Sequence, residues 1–222
     1  MLYIDTPQGH QARRIFWKYL LDEICADFSH GDGVVNFLDF GCSYGEFIRM
    51  ADYRRIAKRY TGIEVNRNIV YHLKLVNTAR NTVFMETNEW IESREPHSID
   101  VLTSIEVLPY ISDITSHATL LADVLHPIRG VVYLVTGILS ESSVAYRLVE
   151  RNDAVIKAYP RSLDDILLAF VSAGFKCHAK RINLSDSFGI QLDPVDLAKM
   201  KIGAKEFLDY LFEDKILLKL TL

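Results

Sequence analysis

The residues best suited to chemistry lie in one short run, Asp39-Phe40-Gly41-Cys42-Ser43-Tyr44-Gly45, and at Glu64 some 20 positions later. Glycines at such spacing let a chain turn tightly and bring its backbone close to a ligand, because no Cβ intervenes. A carboxylate at the end of the next strand can accept both hydroxyl hydrogens of a ribose. Charge-assisted hydrogen bonds of that kind contribute roughly 1.5–3 kcal/mol each. Together these features suit a ligand that carries a nucleoside.

A dinucleotide fingerprint needs G-x-G-x-x-G, yet from Gly41 the later positions hold Ser43 and Glu46. Glu46 would also set an acid where pyrophosphate must meet a helix N-terminus. S-adenosyl-L-methionine (SAM) has no phosphate and tolerates an acidic helix start. The loop therefore favours SAM over a nicotinamide dinucleotide.

These residues must be positioned by the elements around them. Residues 9–28 read as an amphipathic helix on the repeat Phe16, Leu20 and Ile24, with Trp17 and Leu21 beside it. Val34–Asp39 reads as a buried strand, 46–58 as a helix and Tyr60–Glu64 as a second strand. Helix 67–77, strand Thr82–Glu86, strand Ile99–Ser104, helix 113–125 and strand Val131–Thr136 follow. A polar-apolar stretch over 139–158 precedes a helix capped by Ser162 and running to Ser172, after which Lys176–Asn183 resumes strand. Pro194 can open a helix through Phe212. Either Lys215–Leu220 or Ser187–Leu192 closes the sheet, and the former is preferred.

Strict alternation implies an α/β fold, a doubly wound, mostly parallel seven-stranded sheet with helices on both faces. One domain is expected over 1–222: an N-terminal cap helix (1–30), a cofactor-binding core (31–185), and a C-terminal helix with a closing strand (186–222). Ligands in such sheets bind outside the carboxyl ends of the strands, near the switch in strand order. Both the glycine run and Glu64 fall at such ends.

Composition narrows the partners. The chain has 222 residues, 49% of them hydrophobic, enough for a core without metal or disulfide. Lys+Arg 25 against Asp+Glu 29 gives −4, which argues against a general nucleic-acid binder. The nearest approach to a basic patch, Arg54, Arg55, Lys58 and Arg59, reads as a solvated helix face. Cys25, Cys42 and Cys177 are odd in number and form no CxxC pair, so a reducing compartment is expected and no metal site. The first residues lack a secretory pattern and no apolar run approaches the ~20 residues of a membrane span. A cytoplasmic protein without a membrane partner is expected.

In order along the chain, these motifs resemble those of the class I SAM-dependent methyltransferases. Asp39, Gly41 and Gly45 match the family's first motif, with Ser43 at its middle glycine, and Glu64 matches the acid ending the second strand. Thr87-Asn88 is similar to the third motif, where Asn88 would accept from the adenine amine. Trp90 could pack against the adenine or simply fill the core. Asp100 through Leu108 resembles the fourth motif, Arg129–Leu134 the fifth strand, and Ser162–Phe175 the penultimate helix and its turn. The resemblance spans roughly 30–185 and implies SAM as cofactor. It implies cofactor contacts from Asp39, Gly41, Cys42, Ser43, Gly45, Glu64, Val65, Asn88, Glu89, Trp90, Ser104 and Ile105. Where many relatives continue with Glu-His, this chain has Pro109-Tyr110, leaving Tyr110 as the catalytic candidate.

Several acceptors are disfavoured. The place of the Asn/Asp-Pro-Pro-aromatic motif of DNA amine methylation holds Thr103-Ser104-Ile105-Glu106. No cysteine lies near that strand for base-carbon chemistry, and no metal cluster of the catechol type assembles. The expected acceptor is a small molecule attacking through oxygen or nitrogen, chosen by Tyr3 and Trp17 of the N-terminal segment, residues 137–160 and the tail 187–214. The alternatives are an RNA- or protein-modifying methyltransferase and a catalytically silent SAM-fold partner subunit.

Overall fold

The computed structural model describes residues 7–28, 33–79, 81–138, 147–151, 154–159, 161–183 and 214–222. The first part of the chain forms α1 (Pro7–Asp27), β1 (Val34–Phe40), α2 (Glu46–Tyr53), β2 (Ala57–Glu64), α3 (Arg67–Val76), β3 (Thr82–Glu86) and α4 (Thr87–Ser93). Next come β4 (Val101–Ile105), a 3-10 turn (Leu108–Tyr110), α5 (Ile114–Val124) and β5 (Val131–Gly137). The last described elements are β6 (Arg147–Arg151), β7 (Ala154–Ala158), α6 (Leu163–Ser172), β8 (Lys176–Asn183) and β9 (Asp214–Thr221).

Seven strands form one sheet in the order β3-β2-β1-β4-β5-β9-β8. β1 to β5 run parallel, and β9 lies antiparallel between β5 and β8. The preferred closing strand is therefore the one that forms. Tyr3, the alternative strand 187–192 and the helix from Pro194 to Phe212 lie outside the described residues. The order reverses between β1 and β4, which opens a crevice at their carboxyl ends.

Pleating sends alternate side chains to opposite faces. Phe37 shares one face with Val101 and Tyr133, under α1, α2 and α3. Leu38 and Phe40 point to the other, with Leu102, Leu134 and Ile216, under α4, α5 and α6. Both faces are dry, which explains why the central strands read as continuous apolar runs.

The cover helix α1 buries Phe16, Trp17, Leu20, Leu21 and Ile24 against this sheet. Polar ties hold its carboxyl-terminal half. Asp27 accepts from the Tyr133 hydroxyl and from Lys219. Lys180 reaches Glu23 at 3.2 Å, and Arg54 pairs with Asp22 at 2.7 Å.

Three boundaries differ from the sequence expectation. The helix expected over 46–58 stops at Tyr53, because Arg55 takes a left-handed turn (φ 56) and Ile56 N–H returns to the Ala51 carbonyl at 3.3 Å. Lys58 and Arg59 then lie on β2, so the four cations do not share one helix face. β4 starts at Val101 rather than Ile99, which makes only an isolated bridge to Leu125. The stretch 139–158 contains an antiparallel hairpin, β6 with β7, that helical or strand periodicity did not announce.

Asp100 ties the amino ends of the central strands together. It is fully buried, accepts the Val35 and Asn36 N–H groups at 2.7 and 2.9 Å, and takes Arg129 Nε at 2.6 Å. Replacing it leaves two strand amides and a guanidinium without their acceptor. Asp100→Ala should destabilise the fold by about 3 kcal/mol, read as a lower urea midpoint at unchanged slope. A midpoint equal to wild type would show that water replaces the carboxylate without penalty.

Candidate active site

The chain leaves β1 through a turn that the neighbouring strand holds in place. The Ile63 carbonyl accepts both the Gly41 and Cys42 N–H groups, at 2.8 and 2.9 Å. Glu64 then reaches across, accepting Ser43 N–H through Oε2 at 3.0 Å and Asn66 N–H through Oε1 at 3.0 Å. The glycine run and Glu64 thus share one crevice. Left-handed backbone at Gly41 (φ 79), Ser43 (φ 49) and Gly45 (φ 70) makes the turn. A Cβ on Gly41 would lie 2.3 Å from Val107 Cγ2, and one on Gly45 2.9 Å from the Phe84 ring. Both glycines are needed for space as well as for φ.

An open cleft of about 340 Å³ lies over this turn, lined by Trp17, Asp39, Gly41, Cys42, Ser43, Tyr44, Glu46, Phe47 and Ile105. Trp17 comes from α1 and packs edge-on to Phe47 of α2, with ring centroids 6.0 Å apart. The cover helix therefore supplies part of the cleft wall. Glu46 occupies the first turn of α2, where a phosphate would meet its carboxylate.

Asp39, next to last in β1, is almost entirely buried, and the Thr103 hydroxyl of β4 donates to it at 2.7 Å. Burial pushes its pKa up to about 7, the Thr103 bond opposing and the nearby Glu64 charge adding. Cys42 is buried too, which raises its thiol far above the range of a nucleophile. On the opposite face of the sheet, His117 of α5 stacks edge-on to Phe40 at 5.1 Å, and burial holds it down to about 4.

Of the twelve cofactor candidates, Asp39, Gly41, Cys42, Ser43 and Ile105 line the cleft. Gly45 caps α2 beneath it and Glu64 bonds its turn. Val65 is 81% exposed just beyond Glu64. Asn88 stands exposed as the second residue of α4, a helix whose first turn periodicity missed because it is only seven residues long. Glu89 is engaged by Lys74 at 3.1 Å. Trp90 fills the core, edge-on to Phe40 at 5.9 Å and 5% exposed, so it does not form a wall of the cleft. Ser104 is fully buried beside Phe40, its side chain turned from the cleft. Tyr110 sits half-buried in the 3-10 turn, outside the cleft lining.

Tyr44, Glu46 and Phe47 also line the cleft although none was among the cofactor candidates, since helix starts rarely announce which side they face. Arg161 was missed as well. Its guanidinium donates to the carbonyls of Leu108, Tyr159 and Ser112 at 2.9, 3.0 and 3.1 Å, while Tyr159 N–H bonds Pro109 at 2.7 Å. These bonds fasten the segment leaving the hairpin to the turn after β4.

The residues around the cleft fit SAM. A glycine turn, a half-exposed carboxylate, an apolar wall and no lining cation suit an adenosyl and sulfonium ligand better than a phosphate. Glu64 would take the ribose hydroxyls, because each oxygen keeps acceptor capacity beyond its backbone bond.

Gly41→Ala should lower the melting temperature and abolish detectable S-adenosylhomocysteine binding by calorimetry. Adding Val107→Ala should restore part of the stability, because it removes the clash but not the φ strain; no restoration would show that the clash is not what matters. For Asp39, the folded pKa lies above the unfolded 3.8, so the folded state holds the proton between 3.8 and about 7 and loses stability as pH rises through that window. His117 acts oppositely, adding stability as pH rises from about 4 to 6.5. In urea titrations Asp39→Asn should gain stability relative to wild type from pH 4 to 7. Parallel curves would mean that Asp39 titrates normally.

Comparison with known proteins agrees with this architecture. Residues 10–180 match the family described as Methyltransferase domain. An S-adenosylmethionine dependent methyltransferase from Mesorhizobium loti superposes with a TM-score of 0.61 at 16% identity, over 91% of this chain and 95% of that one. A cyclopropane synthase from Mycobacterium tuberculosis superposes with a TM-score of 0.63 at 18% identity, over 91% and 82% of the chains. Haemonchus contortus phosphoethanolamine N-methyltransferase 2, in complex with SAM, gives 0.61 at 15% identity over 91% and 51%. No curated protein matches by sequence. With the family model matched over residues 10–180, the chain belongs to the class I SAM-dependent methyltransferases.

Proposed function

We propose that this methyltransferase alkylates an oxygen or nitrogen of a small molecule that enters beneath α1. The observation that carries the reading is the cleft lining itself: Trp17, Phe47 and Ile105 are apolar, Asp39 and Glu46 acidic, and none is basic. A polyphosphate acceptor would need cations beside the reacting site. Among the surface cations, Lys18, Arg54, Lys74 and Lys180 are paired with Asp22, Glu89 or Glu23. The phosphoethanolamine enzyme is named for a small amine, in keeping with this acceptor class, whereas the cyclopropane synthase is named for a different product on the same fold.

When bound, SAM supplies a methyl group on a cationic sulfonium, and the protein's work is alignment and drying. The turn at 41–45 would hold the amino-acid end and Glu64 the ribose. Asn88 would accept from the adenine amine beside Val65. Trp17, Phe47 and Ile105 would exclude water, which otherwise stabilises separated charges more than the transition state. A nucleophile that arrives deprotonated, or that loses its proton late, needs no dedicated base, so Tyr110 serves at most to shape the turn after β4. The three unpaired cysteines support a cytoplasmic setting.

The sequence suggests that Glu64 matters to the ligand alone, but its bonds to Ser43 and Asn66 make it a brace for the turn as well. Glu64→Gln keeps one acceptor and is the cleaner probe. Its affinity for S-adenosylhomocysteine should fall about tenfold by calorimetry, with a small drop in melting temperature; equal affinity would displace the ribose from position 64. The acceptor class is tested with methyl-labelled SAM and a panel of small amines and phenols, beside bulk tRNA and protein. Label confined to the macromolecules would favour the RNA- or protein-modifying alternative.

A further inference from the structure

Most acids at the carboxyl edge of the sheet are engaged by the protein itself. Glu64 bonds the Ser43 and Asn66 amides, and Glu86 takes Arg67 Nε at 2.9 Å. The Glu106 side chain reaches toward β9, where Lys215 Nζ lies 2.7 Å from its Oε1. Of the two acids that line the cleft, Asp39 is buried and takes the Thr103 hydroxyl at 2.7 Å. Glu46 is the other. It is exposed, and among the described residues its carboxylate has no hydrogen bond and no ion pair.

The walls around it are aromatic. Trp17, Tyr44 and Phe47 line the same cleft, with Phe47 next to Glu46 in α2. Aromatic surface beside a carboxylate suits an organic cation, which gains from the ring electrons and from the opposite charge. The rings alone would not suffice, because the Arg13 guanidinium already lies over Trp17, 5.7 Å from its centroid. The carboxylate is what draws a cation in. An acid in the first turn of a helix also gains a little from the helix dipole wherever its side chain points. That gain calls neither for a cleft without a basic residue in its lining nor for three rings around the acid.

We propose that Glu46 is the anionic partner of an ammonium subsite in the cleft, walled by Trp17, Tyr44 and Phe47. The proposal rests on the cleft being the SAM site. Two ligands of the reaction can bring an ammonium group: SAM through its amino-acid end, and an acceptor that is itself an amine. A cofactor held at Glu64 by its ribose passes Ser43, which Glu64 bonds, and its far end comes to Glu46, three residues on. An amine acceptor held as its ammonium is methylated elsewhere in the molecule, or after losing that proton to water. In either case Glu46 makes a charge-assisted hydrogen bond, and no covalent bond forms or breaks at it.

Calorimetry on the full chain tests this with S-adenosylhomocysteine, which keeps the ammonium, and methylthioadenosine, which lacks the amino-acid end. Glu46→Gln is close in shape and uncharged. If the group belongs to the cofactor, this variant should bind S-adenosylhomocysteine about fivefold more weakly and methylthioadenosine as wild type does. If it belongs to the acceptor, both nucleosides bind as before. Phenylethylamine then binds the S-adenosylhomocysteine-loaded variant about fivefold more weakly, while neutral phenylethanol is unaffected. The proposal is overturned if neither cation depends on Glu46. It is equally overturned if the neutral ligands weaken as much as the charged ones, the result expected of a residue that only supports the turn. A wild type that binds neither nucleoside would take down the cofactor site itself, and this subsite with it.

Discussion

The site depends on one carbonyl. Ile63, next to last in β2, accepts two successive amides from the turn that follows β1. That turn has no regular structure of its own, and buried amides must find partners. By supplying the acceptor from the adjacent strand, the sheet turns a glycine-rich segment into a fixed surface. Glu64 extends the same tie by one residue, so the carboxylate that would read a ribose is oriented by the backbone that would cradle the rest of the ligand. The ties that register the two strands would thus also shape the surface proposed to hold the ligand.

The two ends of the sheet treat buried charge differently. At the amino edge, Asp100 is met by two amides and a guanidinium, a closed arrangement with structural value only. At the carboxyl edge, Asp39 receives one hydroxyl and keeps a raised pKa. Glu106 is offset against a lysine from a strand two places away. The closed set of bonds around Asp100 and the open one around Asp39 fit a fold whose carboxyl edge meets a ligand.

How much of this was readable beforehand depended on how local the signal was. Asp39, Gly41, Gly45 and Glu64 stood out because glycine and acid requirements are met within a few residues of the strand ends. The alternation of strands and helices followed from apolar runs that any two-sided sheet demands. Trp90 was ambiguous, since a tryptophan after a strand suits an adenine wall and a core equally well, and only the ring of Phe40 decides. The end of α2 was misplaced because Arg55 carries no glycine signal for its left-handed turn. Phe47 and Tyr44 became lining residues through the angle at which α2 leaves the turn, and the Glu106–Lys215 pair joins positions more than a hundred residues apart. Neither is written in local pattern.

The attachment of α1 has an evolutionary corollary. Its polar anchors, Asp22, Glu23 and Asp27, sit in the last two turns, whereas Trp17 meets the cleft one to two turns earlier. All of it precedes β1 in the chain. A lineage can therefore rewrite the opening residues and retune what passes Trp17 without touching the Ile63 tie or the strand order.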